Sequence, residues 1–263
     1  MVKKVITLLA FAALGVFCAM AVQAETVRGE GKYHTQALTH LMPFSSIEVR
    51  GDVQVDVWQR AEQSVSVSGK SNLVALADIR VENDTLVIDF KRPVHIKGAH
   101  ALHVSVGVPS LQSVSVRGKG RMRIRGAFET PKLLISAMDK AYITGDMLQN
   151  DWLRVQATNH AEIDLERLQA KQLEAAVFDK ADVELSGAAE QAQLINNGAE
   201  DLDAAGLRVA QAHVQINGSG DVELFATDTL KAEALGRGEI TYHGQPVLTR
   251  SGNLKHIKPA FED

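Results

Sequence analysis

The sequence predicts an all-β protein built as a parallel β-solenoid of about seven rungs, each about 20 residues long, and three observations support this prediction. First, a three-residue motif recurs about every 20 residues between Leu111 and Pro246. Second, the residues four places before and four places after the start of each copy are small or apolar. Third, apolar residues between the copies alternate with the period of a strand rather than that of a helix. Units that each bury only one apolar stripe must stack on one another to form a core.

The recurring motif is called the triplet here. Its seven copies are Gly118–Gly120, Asp139–Ala141, Asn159–Ala161, Asp179–Ala181, Gly198–Glu200, Gly218–Gly220 and Gly236–Gly238. The first residue is always Gly, Asp or Asn, which predicts a left-handed backbone at that position. The third residue is Gly or Ala except at Glu200, because a larger side chain would crowd the next rung about 4.8 Å away. We interpret Glu200 as the mark of a local bulge in the solenoid.

Residues 1–24 have the organisation of a secretory signal peptide. Two lysines precede an apolar run over Val5–Met20, and Val22–Ala24 forms a small-x-small cleavage site. Cys18 raises the alternative of lipid attachment, but the bulky Phe17 precedes it, so simple cleavage is favoured. We therefore expect an exported protein, located in the periplasm or at the cell surface.

The composition of the mature chain excludes several classes of function. Cleavage removes the only cysteine, so no disulfide is expected. It also removes two of the 28 basic residues and none of the 32 acidic ones, which leaves a net charge of −6. This balance argues against nucleic acid as a partner. No later stretch is apolar enough for a transmembrane segment.

The N-terminal part of the mature chain divides into two regions. Residues 25–43 have little periodicity and are predicted to be an irregular lead-in. Residues 44–108 alternate clearly and are predicted to form strands and hairpins. Within them, Ile79–Ile88 is expected to be a hairpin with its turn at Asn83 and Asp84. A soft boundary is placed near Pro109.

Residues 109–250 contain the solenoid repeat, with two short strands per unit joined by a triplet. Only Leu165–Ala176 and Gly187–Leu194 have local helical character, and both fall between rungs. Residues 251–263 form a tail that contains Pro259 and several charges. We interpret this tail as protection against self-association at an open solenoid end, since unpaired strands are templates for pairing.

Three segments give the chain a resemblance to a known family. They are Phe44–Val53, Ile216–Val222 and the closing segment Gly236–Pro246, with its Gly-x-Gly and Tyr-x-Gly-x-Pro patterns. The sequence resembles the bacterial family "putative auto-transporter adhesin, head GIN domain" over about residues 44–255. The resemblance implies an exported β-solenoid protein and transfers no catalytic residue. The chain departs from the usual Gly-Ser-Gly triplet in copies two to five.

The middle residues of the first four triplets are the candidate ligand-binding residues. Stacking would place Lys119, Lys140, His160 and Lys180 in one column, called the basic edge here. Such a column suits an anionic glycan, lipopolysaccharide phosphates or an acidic envelope protein. The alternative is a solvated turn position, and nearby Asp139 and Asp179 are expected to neutralise the edge in part.

Metal, cofactor and enzyme sites find little support in the sequence. The spacing of His95, His100 and His103 matches no common ligand pattern. Glu200 and the acidic residues after it lack a calcium-loop motif. No cofactor is therefore expected. The preferred function is a non-enzymatic binding, adhesin-like or structural module of the envelope. The alternative is a carbohydrate-active β-helix enzyme, although the outward positions show no carboxylate pair suited to that chemistry.

Overall fold

The structure is a computed structural model that describes residues 24–97 and 102–260. The predicted signal peptide lies outside the described residues except for Ala24, and His100 also lies outside them. The N-terminal elements are β1 (Glu25–Arg28), β2 (Tyr33–Ala37), β3 (Ser46–Val49), β4 (Val53–Gln59), β5 (Ser64–Lys70), α1 (Ser71–Leu76), β6 (Ala77–Glu82), β7 (Thr85–Phe90), β8 (Val94–Lys97) and β9 (Leu102–Val108).

The remaining elements wind as a solenoid. They are β10 (Ser113–Val116), β11 (Arg121–Glu129), β12 (Lys132–Asp139), β13 (Tyr142–Asn159), β14 (Glu162–Val177), β15 (Asp182–Asn196), β16 (Leu202–Ile216), β17 (Val222–Ala234), β18 (Ile240–His243), β19 (Val247–Gly252), a short 3-10 helix (Leu254–His256) and β20 (Ile257–Pro259). Each strand pairs in parallel with the strand one rung away, as in Ile143–Ile163 and Leu153–Leu173 of β13 and β14. The predicted parallel β-solenoid is confirmed.

Most rungs are one long bent strand rather than two short ones. In β14 the bend lies at Arg167, which has a φ of 50°, and the register with β15 shifts between Leu165 and Leu168. The regions with local helical character are therefore strands. Their Ala, Leu, Glu and Gln residues favour a helix locally. Pairing with strands on both sides outweighs that preference, since strand formation lets the apolar columns stack.

The core is a set of aliphatic columns that continue from rung to rung. Ile143, Ile163 and Val183 stack in one column and are at most 2% exposed. Burying each such side chain contributes about 1.5–3 kcal/mol. The low aromatic content of 5% suits this narrow interior, where stacked Val, Ile, Leu and Ala side chains fill the space.

The solenoid extends across the predicted boundary at Pro109. β3 pairs in parallel with β10, and β4 pairs in parallel with β11. On their other edges, β3 pairs with β7 and β4 pairs with β9. The chain thus first forms the rung that contains β3 and β4, and then a second rung, containing β7 and β9, that stacks on one side of the first. It then returns to the other side of the first rung, where β10 and β11 begin the repeat. The predicted hairpin is present, since β6 and β7 are antiparallel and Asn83 and Asp84 have φ values of 48° and 63°.

The segment 25–43 is not an irregular lead-in. β2 pairs in an antiparallel manner with β5, and β1 pairs in parallel with β8. Nearly every residue of these two strands is solvent-exposed. The sequence therefore lacks the alternation of buried and exposed positions by which half-buried strands are recognised.

The C-terminal tail covers part of the last rung. β20 pairs with β18, while the 3-10 helix connects β19 to β20. Within the described residues, β19 pairs only with β17. The described part of the tail therefore extends the sheet along β18, and no strand in the described ranges pairs with the outer edge of β19.

The triplets turn the chain in two ways. Gly118, Asp139, Asn159 and Asp179 have φ values of 70°, 66°, 68° and 57°, as predicted for the first position. The first residues of the last three triplets are not left-handed, so the prediction is wrong there. Instead the backbone of successive rungs lies very close: a Cβ on Gly218 would lie 1.9 Å from the Gly198 carbonyl oxygen. Glycine is required in these turns because of rung spacing rather than φ.

Candidate functional site

The triplets form one edge of the solenoid and hold their middle residues in register. The backbone N–H groups of Lys140, His160 and Lys180 each donate to the carbonyl oxygen of the first residue one triplet earlier, at 2.8, 2.7 and 2.7 Å. The four side chains of the basic edge, including Lys119, are solvent-exposed. The structure therefore brings the candidate residues together in a single column, about 4.8 Å apart at the backbone.

The carboxylates beside this column bind other partners. Asp139 accepts hydrogen bonds from the backbone N–H of Gly118 at 3.2 Å and from the Asn159 side chain at 3.1 Å. Asp179 accepts from the backbone N–H of Asn159 at 3.3 Å. Within the described residues, no carboxylate lies within ion-pair distance of the basic edge. The two aspartates lower the net charge of the edge, but they do not pair with its lysines.

The side of the solenoid that follows the triplets changes charge along its length. β11 presents Arg121, Arg123 and Arg125. Two rungs later an in-register carboxylate column begins, formed by Asp164, Glu184, Asp203 and Glu223. We call this column and the adjacent pair Glu162 and Asp182 the acidic side. The outward positions of this side are therefore predominantly acidic over these rungs.

Repulsion and burial raise the pKa values of three groups on the acidic side. The pKa of Glu184 is raised mainly by the neighbouring charge of Asp164, with further contributions from burial and from Asp203. Burial is the largest cause of the raised pKa of Asp182, followed by the charge of Asp201. Burial also raises the pKa of Asp164. Ionisation of each of these carboxyl groups is thus less favourable in the folded state than in the unfolded chain.

These pKa shifts predict greater stability at mildly acidic pH. A carboxyl group with a raised folded-state pKa destabilises the fold when ionised, and this penalty is relieved as the pH falls from neutrality towards that pKa. We expect the melting temperature to rise between about pH 7 and about pH 5, as measured by circular dichroism. Glu184→Gln should reduce the rise. A profile that is unchanged by this variant would contradict the assignment.

A cluster of polar side chains around the buried carboxylate of Asp56 joins the N-terminal rungs to the repeat. Asp56 of β4 is 6% exposed and contacts His103 Nε2 at 2.8 Å and Arg125 Nε at 3.1 Å. These bonds hold the pKa of Asp56 below its usual range, although burial opposes them. His103 therefore contacts a carboxylate from the adjacent rung. No group of three or more His, Cys, Asp or Glu residues in the described ranges is arranged to hold a metal.

A large groove lies away from the basic edge. It has a volume of about 1020 Å³ and runs past the bends of the rungs, where Gln149, Gln169 and Ala188 line it. None of the four basic-edge residues contributes to it. In the part of the chain that the structure describes, no helix has both the length and the apolar character needed to span a bilayer.

Comparison with known proteins identifies the family. The sequence profile described as "Putative auto-transporter adhesin, head GIN domain" matches residues 43–246. The chain belongs to this family. The GIN-domain match covers both the N-terminal rungs and the seven triplets, consistent with their forming one continuous solenoid. No curated protein matches the chain.

Solved structures share the GIN-domain fold of this chain. A structure described as a putative adhesin from Parabacteroides distasonis ATCC 8503 superposes with a TM-score of 0.82 at 21% identity. A structure described as a putative lipid binding protein from the same organism gives 0.82 at 19% identity. A putative adhesin from Parabacteroides merdae ATCC 43184 gives 0.80 at 21% identity. Each match covers 90% of this chain and 100% of the other chain.

Proposed function

We propose that this protein is an exported, non-enzymatic, adhesin-like binding module of the bacterial envelope that holds an anionic polymer along its basic edge. The observation that carries the proposal is the single column of Lys119, Lys140, His160 and Lys180, exposed and fixed by hydrogen bonds between successive turns. Its family supports an adhesin-like role. Its N-terminal sequence supports export to the periplasm or the cell surface.

The spacing of the column favours a polymer over a small anion. Each lysine is solvated, and one exposed ion pair contributes only about 0.2–1 kcal/mol. A chain that carries many phosphates or carboxylates can engage several rungs at once, so that weak contacts add through their high effective concentration. The acidic side would repel the same polymer and so confine it to the edge. Binding of this kind weakens as salt concentration rises.

Charge reversal at the centre of the edge tests the proposal. We expect Lys140→Glu combined with Lys180→Glu to weaken binding by about tenfold or more, since two attractions are replaced by two repulsions. Binding is measured by surface plasmon resonance on two probes, lipopolysaccharide and alginate, which distinguish phosphate-bearing lipid A and core sugars from a carboxylated glycan.

The matched control is Lys132→Glu combined with Lys255→Glu, which changes the net charge equally at exposed positions away from the edge. This control should bind either probe nearly as well as the unmodified protein. Equal weakening by the two double variants would show that only net charge matters. Absence of binding to both probes at low salt would reject the anionic polymer as a ligand.

A further inference from the structure

A second groove crosses the side of the solenoid formed by the later half of each rung. It has a volume of about 420 Å³ and runs across β14, β15 and β16 as far as Thr229 of β17. Its walls are rich in polar side chains. The residues that matter here are Gln172, Gln191, Gln193, Gln211, Glu174 and His213, and we call this surface the glutamine groove.

The glutamine groove presents its side chains in two in-register columns. Gln172, Gln191 and Gln211 pair successively across three rungs. Gln193 lies two residues beyond Gln191, in the adjacent column between Glu174 and His213. Neighbouring members of a column are about 4.8 Å apart at the backbone. The groove therefore offers a regular grid rather than an isolated polar contact.

The four glutamine amides are free to bind a ligand. All four residues are solvent-exposed, and in the described ranges their side chains make no hydrogen bond to protein. Each carboxamide can donate two hydrogen bonds and accept two. A hydroxyl group, which both donates and accepts, is the natural complement to such a surface.

The charged groups at the two ends of the groove are already paired. Glu174 accepts from Trp152 Nε1 at 3.0 Å and from Arg154 Nε at 2.9 Å, and these bonds lower the pKa of its carboxyl group. At the other end, Glu233 contacts His213 at 3.3 Å and Lys231 at 2.5 Å. The charges largely cancel within each cluster, so the groove favours an uncharged ligand.

An aromatic ring extends one glutamine column. Trp152 pairs in register with Gln172 and so stands next in line beyond the three glutamines. The Arg154 guanidinium lies 5.1 Å from the ring centroid, which holds the indole in place beside the groove. Aromatic side chains combine a large apolar surface with a polar tip, a combination suited to the mixed faces of a sugar ring.

We propose that the glutamine groove binds an uncharged oligosaccharide that lies across successive rungs. The glutamine amides bond its hydroxyl groups, and Trp152 packs against a sugar ring at one end. This site is separate from the basic edge and does not depend on binding there. A mixed envelope polysaccharide could then engage charged units at the edge and neutral units in the groove.

Removal of two amides tests this site in the full mature protein. Maltohexaose, cellohexaose and chitohexaose are titrated by calorimetry, with the intrinsic fluorescence of the two tryptophans, Trp58 and Trp152, as a second signal. At least one should bind, and Gln191→Leu combined with Gln211→Leu should weaken that binding by about tenfold or more, because the ligand loses its partners at two adjacent rungs. The matched control is Gln149→Leu with Gln169→Leu, an exposed in-register pair that lines the larger groove.

The outcomes separate this proposal from the one for the basic edge. Lys140→Glu with Lys180→Glu should leave hexasaccharide binding unchanged. Failure of all three hexasaccharides to bind at millimolar concentration would overturn the glutamine-groove proposal. Equal weakening by the control pair would also overturn it. Circular dichroism melting curves identify any variant that has lost its fold, and Gln191→Glu then provides a milder change at the same place.

Discussion

Gly218→Ala is expected to destabilise the protein by about 3 kcal/mol or more, at the upper end of the range for overpacking. The new Cβ would lie 1.9 Å from the Gly198 carbonyl oxygen, and that oxygen already accepts a hydrogen bond from Ser219 N at 2.9 Å. Gly198 and Gly218 both lie in backbone that is hydrogen-bonded to a neighbouring rung. The strain therefore cannot be relieved by rotation of a side chain and must separate the rungs locally.

Urea denaturation followed by circular dichroism measures this effect, and two further variants test its cause. Gly118→Ala should cost less, about 1–2 kcal/mol, since a left-handed φ is its main difficulty. Its Cβ would meet Gly51 Cα at an ordinary distance of 3.4 Å. Ser219→Ala, at the exposed middle position, should change stability by less than about 0.5 kcal/mol. Equal losses for Gly118→Ala and Gly218→Ala would contradict the two modes of turning.

Asn196→Ala is expected to cost about 3 kcal/mol. The Asn196 side chain is completely buried, and its three hydrogen bonds join the fifth triplet to the backbone that follows the sixth triplet. Its Nδ2 donates to the carbonyl oxygens of Glu200 at 2.9 Å and Asp221 at 3.0 Å, and its Oδ1 accepts from Gly198 N at 2.8 Å. Truncation leaves Gly198 N–H and the Glu200 carbonyl oxygen without this partner, while the Asp221 carbonyl oxygen keeps a hydrogen bond from Leu202 N at 3.0 Å. Each lost partner costs about 1–3 kcal/mol before relaxation or hydration by water.

The adjacent Asn197 provides the control for this prediction. Its Oδ1 accepts one hydrogen bond, from Asn217 at 2.7 Å, at an exposed contact. Asn197→Ala should therefore cost only about 0.5–1.5 kcal/mol. Asn196→Asp keeps the acceptor but directs a carboxylate at two carbonyl oxygens, so it should be at least as damaging as Asn196→Ala. Denaturation midpoints for the three variants that do not fall in this order would contradict the structural role of Asn196.

The solenoid could be predicted because its signals are repeated locally in the sequence. The alternation around Val155 or Val214 gives the strand period, and the recurrence of the triplets gives the rung length. The same alignment placed Lys140, His160 and Lys180 at successive positions of the basic edge. These features follow from the pairing of each strand with the equivalent strand of the next repeat. This is the simplest way for consecutive rungs to stack.

The N-terminal rungs could not be predicted in this way. The pairing of β3 with both β7 and β10 joins segments that are distant in sequence and not in simple order. The exposed strands β1 and β2 carry no apolar alternation. Their pairing depends on the edges of strands that are formed elsewhere.

The polar features were partly visible in the sequence. Gln172, Gln191 and Gln211 recur at nearly the rung period, so an alignment of outward positions could have found their column. The acidic column could have been found from the triplets, since Asp164, Glu184, Asp203 and Glu223 each lie five residues after the first residue of a triplet. Asn196 was missed because only the structure shows that its side chain enters the turn instead of facing solvent.

Lysine labelling with and without a bound polyanion tests the proposed function most directly. Acetylation is followed by mass spectrometry in the presence of the probe, lipopolysaccharide or alginate, that binds the protein. If the polyanion lies along the basic edge, Lys119, Lys140 and Lys180 become protected together, while Lys132 and Lys255 react at unchanged rates. Protection of Lys132 and Lys255 with continued labelling of the three edge lysines would contradict the proposed function.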